Sequence, residues 1–193
     1  MKYEFFSWEK ITTRAMILAT MVRFSKKQPD LIVAIARGGL SIAHILSDLL
    51  KLPVASFTVS SYHDLKRTDD LRISFKVGGR LNGKSVLLVD DVSDSGKTFI
   101  RAIAYLKRVG AREVIPISLF VKPETEFVPE HFAERTDAWI IFPWDQFETM
   151  KILYRKWSFD GMAEESIRCR FLEFGFLPNV ITYFFSMTLL PPP

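Results

Sequence analysis

Cysteine is almost missing from this chain: Cys169 is the single one among 193 residues, which excludes an internal disulfide. The three histidines, His44, His63 and His131, are scattered and give no metal-ligand spacing. A long apolar run is missing as well. The most apolar window, FLEFGFLPNVITYFFSMTLL over 171–190, is broken by Glu173, Gly175, Pro178 and Asn179, so it reads as a docking segment and no membrane partner is expected. MKYEFFSWEK has no uninterrupted apolar stretch behind a basic start, so no signal peptide is expected. No stretch interleaves Lys and Arg with aromatic residues, which argues against nucleic acid as a partner. Together these absences point to a reducing, cytoplasmic setting.

What remains is ordinary for a folded domain: 48% apolar and 25% charged residues, enough length for one α/β domain with a full core. The charge is uneven. Residues 1–120 carry 19 Lys and Arg against 11 Asp and Glu, and residues 121–193 carry 7 against 11. A basic front half suits an anionic small ligand.

Apolar periodicity marks the elements. Trp8, Ile11, Ala15, Leu18 and Val22 recur at helical spacing, predicting a helix to about Lys26. Leu31–Ala36 is a short continuous apolar run, Arg37-Gly38-Gly39 breaks it, and 40–50 returns to helical spacing. Strands are expected at 54–59, 73–77, 86–90, 114–121 and 138–142, and helices at 98–109 and 147–172. The polar SSYHDLKRTDDLR, 60–72, is expected to be a mobile loop, and KPETEFVPEHFAERTD, 122–137, a long excursion. Strands alternating with helices, apolar along their whole length, imply a parallel sheet covered on both faces. Ligands of such sheets bind beyond the carboxyl ends of the strands.

One of those ends carries VLLVDDVSDSGKT, 86–98. Its closing Gly-Lys-Thr matches a nucleoside-triphosphate P-loop, but Asp91 stands where that loop needs a glycine, five positions before Gly96. A carboxylate there repels the phosphates, so the triphosphate reading fails. A strand tip followed by a helix start is still an anion site. Ser95, Gly96, Lys97 and Thr98 can give N–H groups and hydroxyls to one phosphate, while Asp90 and Asp91 accept from vicinal hydroxyls or hold a divalent cation. Phosphate beside diol describes a ribose 5-phosphate. Turn and cap roles are the alternative for such residues, including a helix N-cap for Asp94 or Asp145 and a core position for Trp139.

The same stretch resembles the 13-residue signature with which type I phosphoribosyltransferases bind 5-phosphoribosyl-1-pyrophosphate (PRPP). Ile35-Ala-Arg-Gly-Gly-Leu40 resembles their pyrophosphate loop, and Ser61-Tyr62 the start of their flexible active-site loop. Lys122-Pro123 and Trp139-Ile-Ile-Phe-Pro-Trp-Asp145 resemble the hood and base pocket of the purine branch, closest to the short prokaryotic enzymes for hypoxanthine, guanine and xanthine.

That resemblance implies a Rossmann-like α/β fold over residues 1–157, with a small hood at about 122–146 and a helical tail at 158–193 for docking or oligomer contact. It implies transfer of phosphoribosyl from PRPP to a 6-oxopurine with Mg²⁺ as cofactor, in a homo-oligomer. Adenine specificity is the alternative within the class, and a non-catalytic PRPP-sensing regulator the alternative outside it. By the same resemblance Arg37, Gly38 and Gly39 bind pyrophosphate, and the Ala36–Arg37 peptide is cis. Ser61 and Tyr62 belong to the closing loop, Asp90 and Asp91 hold the ribose hydroxyls, and Ser95, Gly96, Lys97 and Thr98 bind the 5-phosphate. Asp94 is implied as the base facing N7, with Lys122, Trp139 and Ile140 on the purine and Asp91 and Asp145 on metal. Lys97 departs from the glycine or small residue of many relatives.

Overall fold

A computed structural model of the protein describes residues 2–61 and 71–188. In chain order the first elements are β1 (Tyr3–Phe5), α1 (Trp8–Phe24), β2 (Leu31–Ala36), α2 (Gly38–Leu50), β3 (Val54–Ser61) and β4 (Leu71–Phe75). There follow β5 (Ser85–Ser93), α3 (Lys97–Arg108), β6 (Glu113–Val121), β7 (His131–Arg135) and β8 (Trp139–Ile141). Three helices close the chain: α4 (Gln146–Phe159), α5 (Glu164–Phe174) and α6 (Pro178–Thr188). The chain divides into two units, Glu9–Asp137 and the combination of residues up to Trp8 with those from Ala138 onward. No helix among the described residues is long and apolar enough to cross a membrane.

The larger unit is built on a six-stranded sheet in the order β4-β3-β2-β5-β6-β7. All neighbours run parallel except the edge strand β4, which is antiparallel to β3. β2 and the Val86–Val89 part of β5 are buried on both faces, which is why they read as unbroken apolar runs. Alternate residues of the pair, Val33, Ile35, Val86 and Leu88, join Phe99, Ala102, Tyr105 and Leu106 of α3 in one core. The intervening Ile32, Ala34, Leu87 and Val89 are equally buried on the opposite face.

The strand order fixes where a ligand goes. From β2 the chain moves through α2 to β3 on one side, and from β5 through α3 to β6 on the other. The order therefore reverses between β2 and β5, and their diverging connections leave a crevice at the carboxyl ends. The two loops singled out from sequence, at 36–39 and 90–98, are the two that border it.

Several expectations change in detail. β3 continues through Ser61 and β4 starts at Leu71, so both ends of the expected 60–72 loop are strand, and residues 62–70 lie outside the described part. β5 runs to Ser93 rather than Asp90, because Val92 and Ser93 still pair with Phe120 and Val121. The 122–137 excursion contains β7, a half-buried edge strand parallel to β6. Its sequence, HFAER, has none of the β-branched residues that announce a strand.

In the second unit β1 and β8 form a separate two-stranded parallel ribbon, Tyr3 opposite Trp139 and Phe5 opposite Ile141. The expected 138–142 strand thus belongs to this ribbon. Residues 147–172 are two helices, α4 and α5, with Gly161 at φ 81° after the end of α4, in the left-handed region that ends helices. α4, α5 and α6 close around one aromatic core, in which Phe171, Phe184 and Phe185 are buried beside Trp157 and Met150. Their rings meet edge-on or tilted at 5.3–6.2 Å, and Arg168 lies 3.8 Å above the Phe185 ring.

Candidate active site

The Ala36–Arg37 peptide is cis, as the resemblance implied. Arg37 occupies the N-cap position of α2 with an exposed side chain, and α2 begins at Gly38. Neither Gly38 nor Gly39 has an unusual φ; they are required by proximity. A Cβ on Gly39 would overlap the Val89 carbonyl of β5, and one on Gly38 would overlap the Asp91 carboxylate. The start of α2 therefore touches the end of β5 through glycine.

On β5, Asp90 is buried at 8% exposure and Asp91 is half-buried. Each carboxylate accepts the next amide along the chain: Asp91 N–H donates to Asp90 Oδ1 at 3.1 Å and Val92 N–H to Asp91 Oδ1 at 2.7 Å. Burial pushes the Asp90 carboxyl well above the usual carboxylate range, and the neighbouring Asp91 charge pushes it further. Two adjacent carboxylates at a strand tip, one disfavoured as an anion by its surroundings, suit donors or a hard divalent cation. Among the described residues no third acid, histidine or cysteine joins them.

Beyond β5 the chain turns through Asp94 and Ser95, both exposed, to Gly96 at φ 82°. Gly96 is the N-cap of α3 and supplies no side chain, so the amides of the first turn are not occupied by a capping oxygen from that residue. The first turn of α3 carries no acidic residue. Because the cap is Gly96, Asp94 is not the cap; its carboxylate makes no hydrogen bond with another described residue.

The segment after β6 is tied to this turn. Lys122 N–H donates to Ser93 O at 3.0 Å, and Glu126 N–H to Ser95 O at 3.0 Å, one bond on either side of Asp94. Ser93 Oγ donates to Phe127 O at 2.6 Å and lies 3.0 Å from Thr125 Oγ1. Phe127 stacks on Phe99 of α3 at 5.6 Å. A Cβ on Gly96 would meet Phe127 N at 2.5 Å and Thr125 Oγ1 at 2.8 Å, so this glycine serves both a left-handed turn and a close approach.

A helix start free of a side-chain cap, two adjacent carboxylates on the strand before it and a glycine turn against them make an arrangement suited to an anion beside hydroxyl donors. Residues 4–147 match the family model for the phosphoribosyl transferase domain. The chain belongs to the phosphoribosyltransferase family. It is 35% identical over 150 residues to the xanthine-guanine phosphoribosyltransferase of Idiomarina loihiensis, covering 74% of this chain and 87% of that protein. It resembles the crystal structure of a purine phosphoribosyltransferase from Pyrococcus horikoshii, with 38% identity and a TM-score of 0.68 over 75% of this chain and 94% of that one. The Helicobacter pylori xanthine-guanine-hypoxanthine phosphoribosyltransferase, at 22% identity and a TM-score of 0.64 over 77% and 97% of the two chains, shares the fold.

Within this phosphoribosyltransferase the larger unit brings together Arg37, Gly38, Gly39, Asp90, Asp91, Asp94, Ser95, Gly96, Lys97, Thr98 and Lys122. Ser61 is the last residue of β3, and Tyr62 lies outside the described residues. Trp139, Ile140 and Asp145 belong to the second unit. There Trp139 is 38% exposed on β8, Ile140 is buried, and Asp145 Oδ1 accepts Phe142 N–H at 3.1 Å. Asp145 holds the N-cap position of α4, yet its side chain makes no capping bond to that helix. Ser93, Thr125 and Phe127 were not expected at the site. Nothing in the sequence marked the burial of Ser93, whose hydroxyl then needs a partner.

Proposed function

We propose that this phosphoribosyltransferase salvages 6-oxopurines, converting hypoxanthine, guanine or xanthine with PRPP to the nucleoside 5′-monophosphate and pyrophosphate. One observation carries the reading: the Lys122 amide is bonded to Ser93, the residue before Asp94, so an ammonium and a carboxylate stem from adjoining chain segments beside the phosphate turn. The xanthine and guanine named for the Idiomarina relative support the same class, and the name of the Pyrococcus relative supports a purine.

In the proposed reaction N9 of the base forms a bond to ribose C1 as the C1–O bond to pyrophosphate breaks. The ring proton leaves from N7, which Asp94 faces, and pyrophosphate departs with its electron pair. General-base help of this kind is commonly worth about 10²- to 10⁴-fold in rate. Asp90 and Asp91 orient the ribose hydroxyls, and the Ser95–Thr98 amides and hydroxyls hold the 5-phosphate. Arg37, with the amides of Gly38 and Gly39, holds the pyrophosphate and stabilises its growing charge. Bound Mg²⁺, for which the Asp90–Asp91 donor set is suited, supplies charge neutralisation for PRPP. Lys122 donates to the 6-oxo group, since an ammonium has only donors.

The test is incubation with PRPP, Mg²⁺ and each of the four natural purines, with chromatography of the products. Monophosphate and pyrophosphate in equal amounts from the 6-oxopurines are expected. PRPP binding with no product from any base would make the chain a sensing regulator instead.

A further inference from the structure

Ser93 is a buried hydroxyl at the end of β5, 1% exposed, although Asp91 and Val92 just before it are only half-buried. Such a group is retained without penalty only if hydrogen-bonded. Its bonds all lead to one place. Ser93 Oγ donates to Phe127 O at 2.6 Å and lies 3.0 Å from Thr125 Oγ1, whose hydroxyl also reaches the same carbonyl at 3.1 Å. Thr125 Oγ1 in turn accepts Phe127 N–H at 3.4 Å. The ring of bonds closes on itself, from the Phe127 amide through two hydroxyls to the Phe127 carbonyl.

The ring connects the two loops whose spacing matters. The Ser93 carbonyl holds the Lys122 amide, and Thr125 N–H bonds back to Lys122 O at 3.3 Å. Asp94, next along the chain from Ser93, has no side-chain partner among the described residues, so its place is set by its neighbours. We infer that Ser93 and Thr125 form a hydroxyl latch that positions Lys122 relative to Asp94, making both of them positioning residues for base selection. The inference rests on the function proposed above and deepens it. It separates base from PRPP: Glu126 N–H to Ser95 O, a bond outside the latch, still holds the phosphate turn when either hydroxyl is removed.

The experiment measures kcat and the KM values for guanine and PRPP in Ser93→Ala, Thr125→Val, Thr125→Ser and Lys122→Ala, and in the double variant Ser93→Ala with Lys122→Ala. Hydrogen exchange is followed in parallel. Ser93→Ala and Thr125→Val should raise the guanine KM about 5- to 10-fold, the worth of one net hydrogen bond, and leave the PRPP KM within about twofold. Thr125→Ser, which keeps the hydroxyl, should stay near wild type. In the Lys122→Ala background Ser93→Ala should add almost nothing, because the latch acts through Lys122. The Lys122 and Phe127 amides should exchange faster in Ser93→Ala while the Glu126 amide and the amides of β5 up to Val92 stay protected. Equal rises in both KM values, unchanged exchange at Lys122 and Phe127, or full additivity with Lys122→Ala would overturn the latch alone. A wild type that converts no purine would overturn the function and the latch's role in base choice with it.

Discussion

Replacing Asp90 with Asn should stabilise the ligand-free protein while disabling it. In the folded protein this carboxyl is 8% exposed, beside the half-buried Asp91, and its one hydrogen bond among the described residues is from the Asp91 amide. Asparagine keeps that bond through its own Oδ1 and removes a buried charge next to a like charge. Replacing buried charge with a neutral group of the same shape is commonly worth on the order of 1–4 kcal/mol. For a chain of this length each kcal/mol moves Tm by about 2–4 °C, giving a rise of roughly 2–16 °C at neutral pH.

The pH dependence has a definite sign. A carboxyl whose folded pKa is raised holds its proton more tightly in the folded state, so its contribution is complete below the unfolded value, about 3.9, and is lost as pH rises through the folded value. The advantage of Asp90→Asn should therefore be near zero at pH 4 and grow toward pH 8. Thermal unfolding across that range, in chelator and without PRPP, measures it. In the same variant kcat/KM for PRPP should fall about 10- to 150-fold, the worth of a charge-assisted hydrogen bond to the ribose. An Asn variant less stable than wild type at pH 7.5 would refute the reasoning, since Asp90 would then be favourably held as an anion.

Other perturbations separate the parts of the site. Asp94→Asn should lower kcat by about 10²-fold or more with PRPP binding little changed, as read by single-turnover kinetics and calorimetry. Arg37→Ala should weaken PRPP while leaving nucleoside monophosphate affinity near wild type, because the product carries no pyrophosphate; parallel titrations with both ligands check this. Gly39→Ala forces a methyl against the Val89 carbonyl and should destabilise by about 1–3 kcal/mol in denaturant unfolding. In the second unit Phe171→Ala empties the centre of the aromatic cluster and should cost about 3–5 kcal/mol by the same assay.

The fully buried strands were legible because both of their faces are covered: LIVAIA and SVLLV show as unbroken apolar runs flanked by glycine or acid. The turn from β5 into α3 was legible too, since its Ser-Gly-Lys-Thr signal lies in consecutive residues. What escaped depends on distant partners. The three-residue β1 shows no periodicity and is defined only by its pairing with β8, which was itself legible as the strand expected at 138–142. The Asp160–Ala163 break between α4 and α5 was hidden because apolar spacing continues on both sides, although Gly161 stood in view. The Ser93–Thr125 contact spans 32 residues and forms because β6 lies beside β5 in the sheet.

The central claim is transfer of phosphoribosyl to a 6-oxopurine under the direction of Lys122, and the ratio of kcat/KM for hypoxanthine to that for adenine tests it most directly. Lys122 is half-buried, and once a bound base covers it an ammonium facing the adenine amino group leaves a donor unpaired at about 1–3 kcal/mol, so the wild-type ratio should be roughly 5 to 150. Lys122→Gln, whose amide can accept as well as donate, should bring that ratio toward one by slowing hypoxanthine. A wild type that uses adenine best, or a ratio that Lys122→Gln leaves unchanged, would contradict the account.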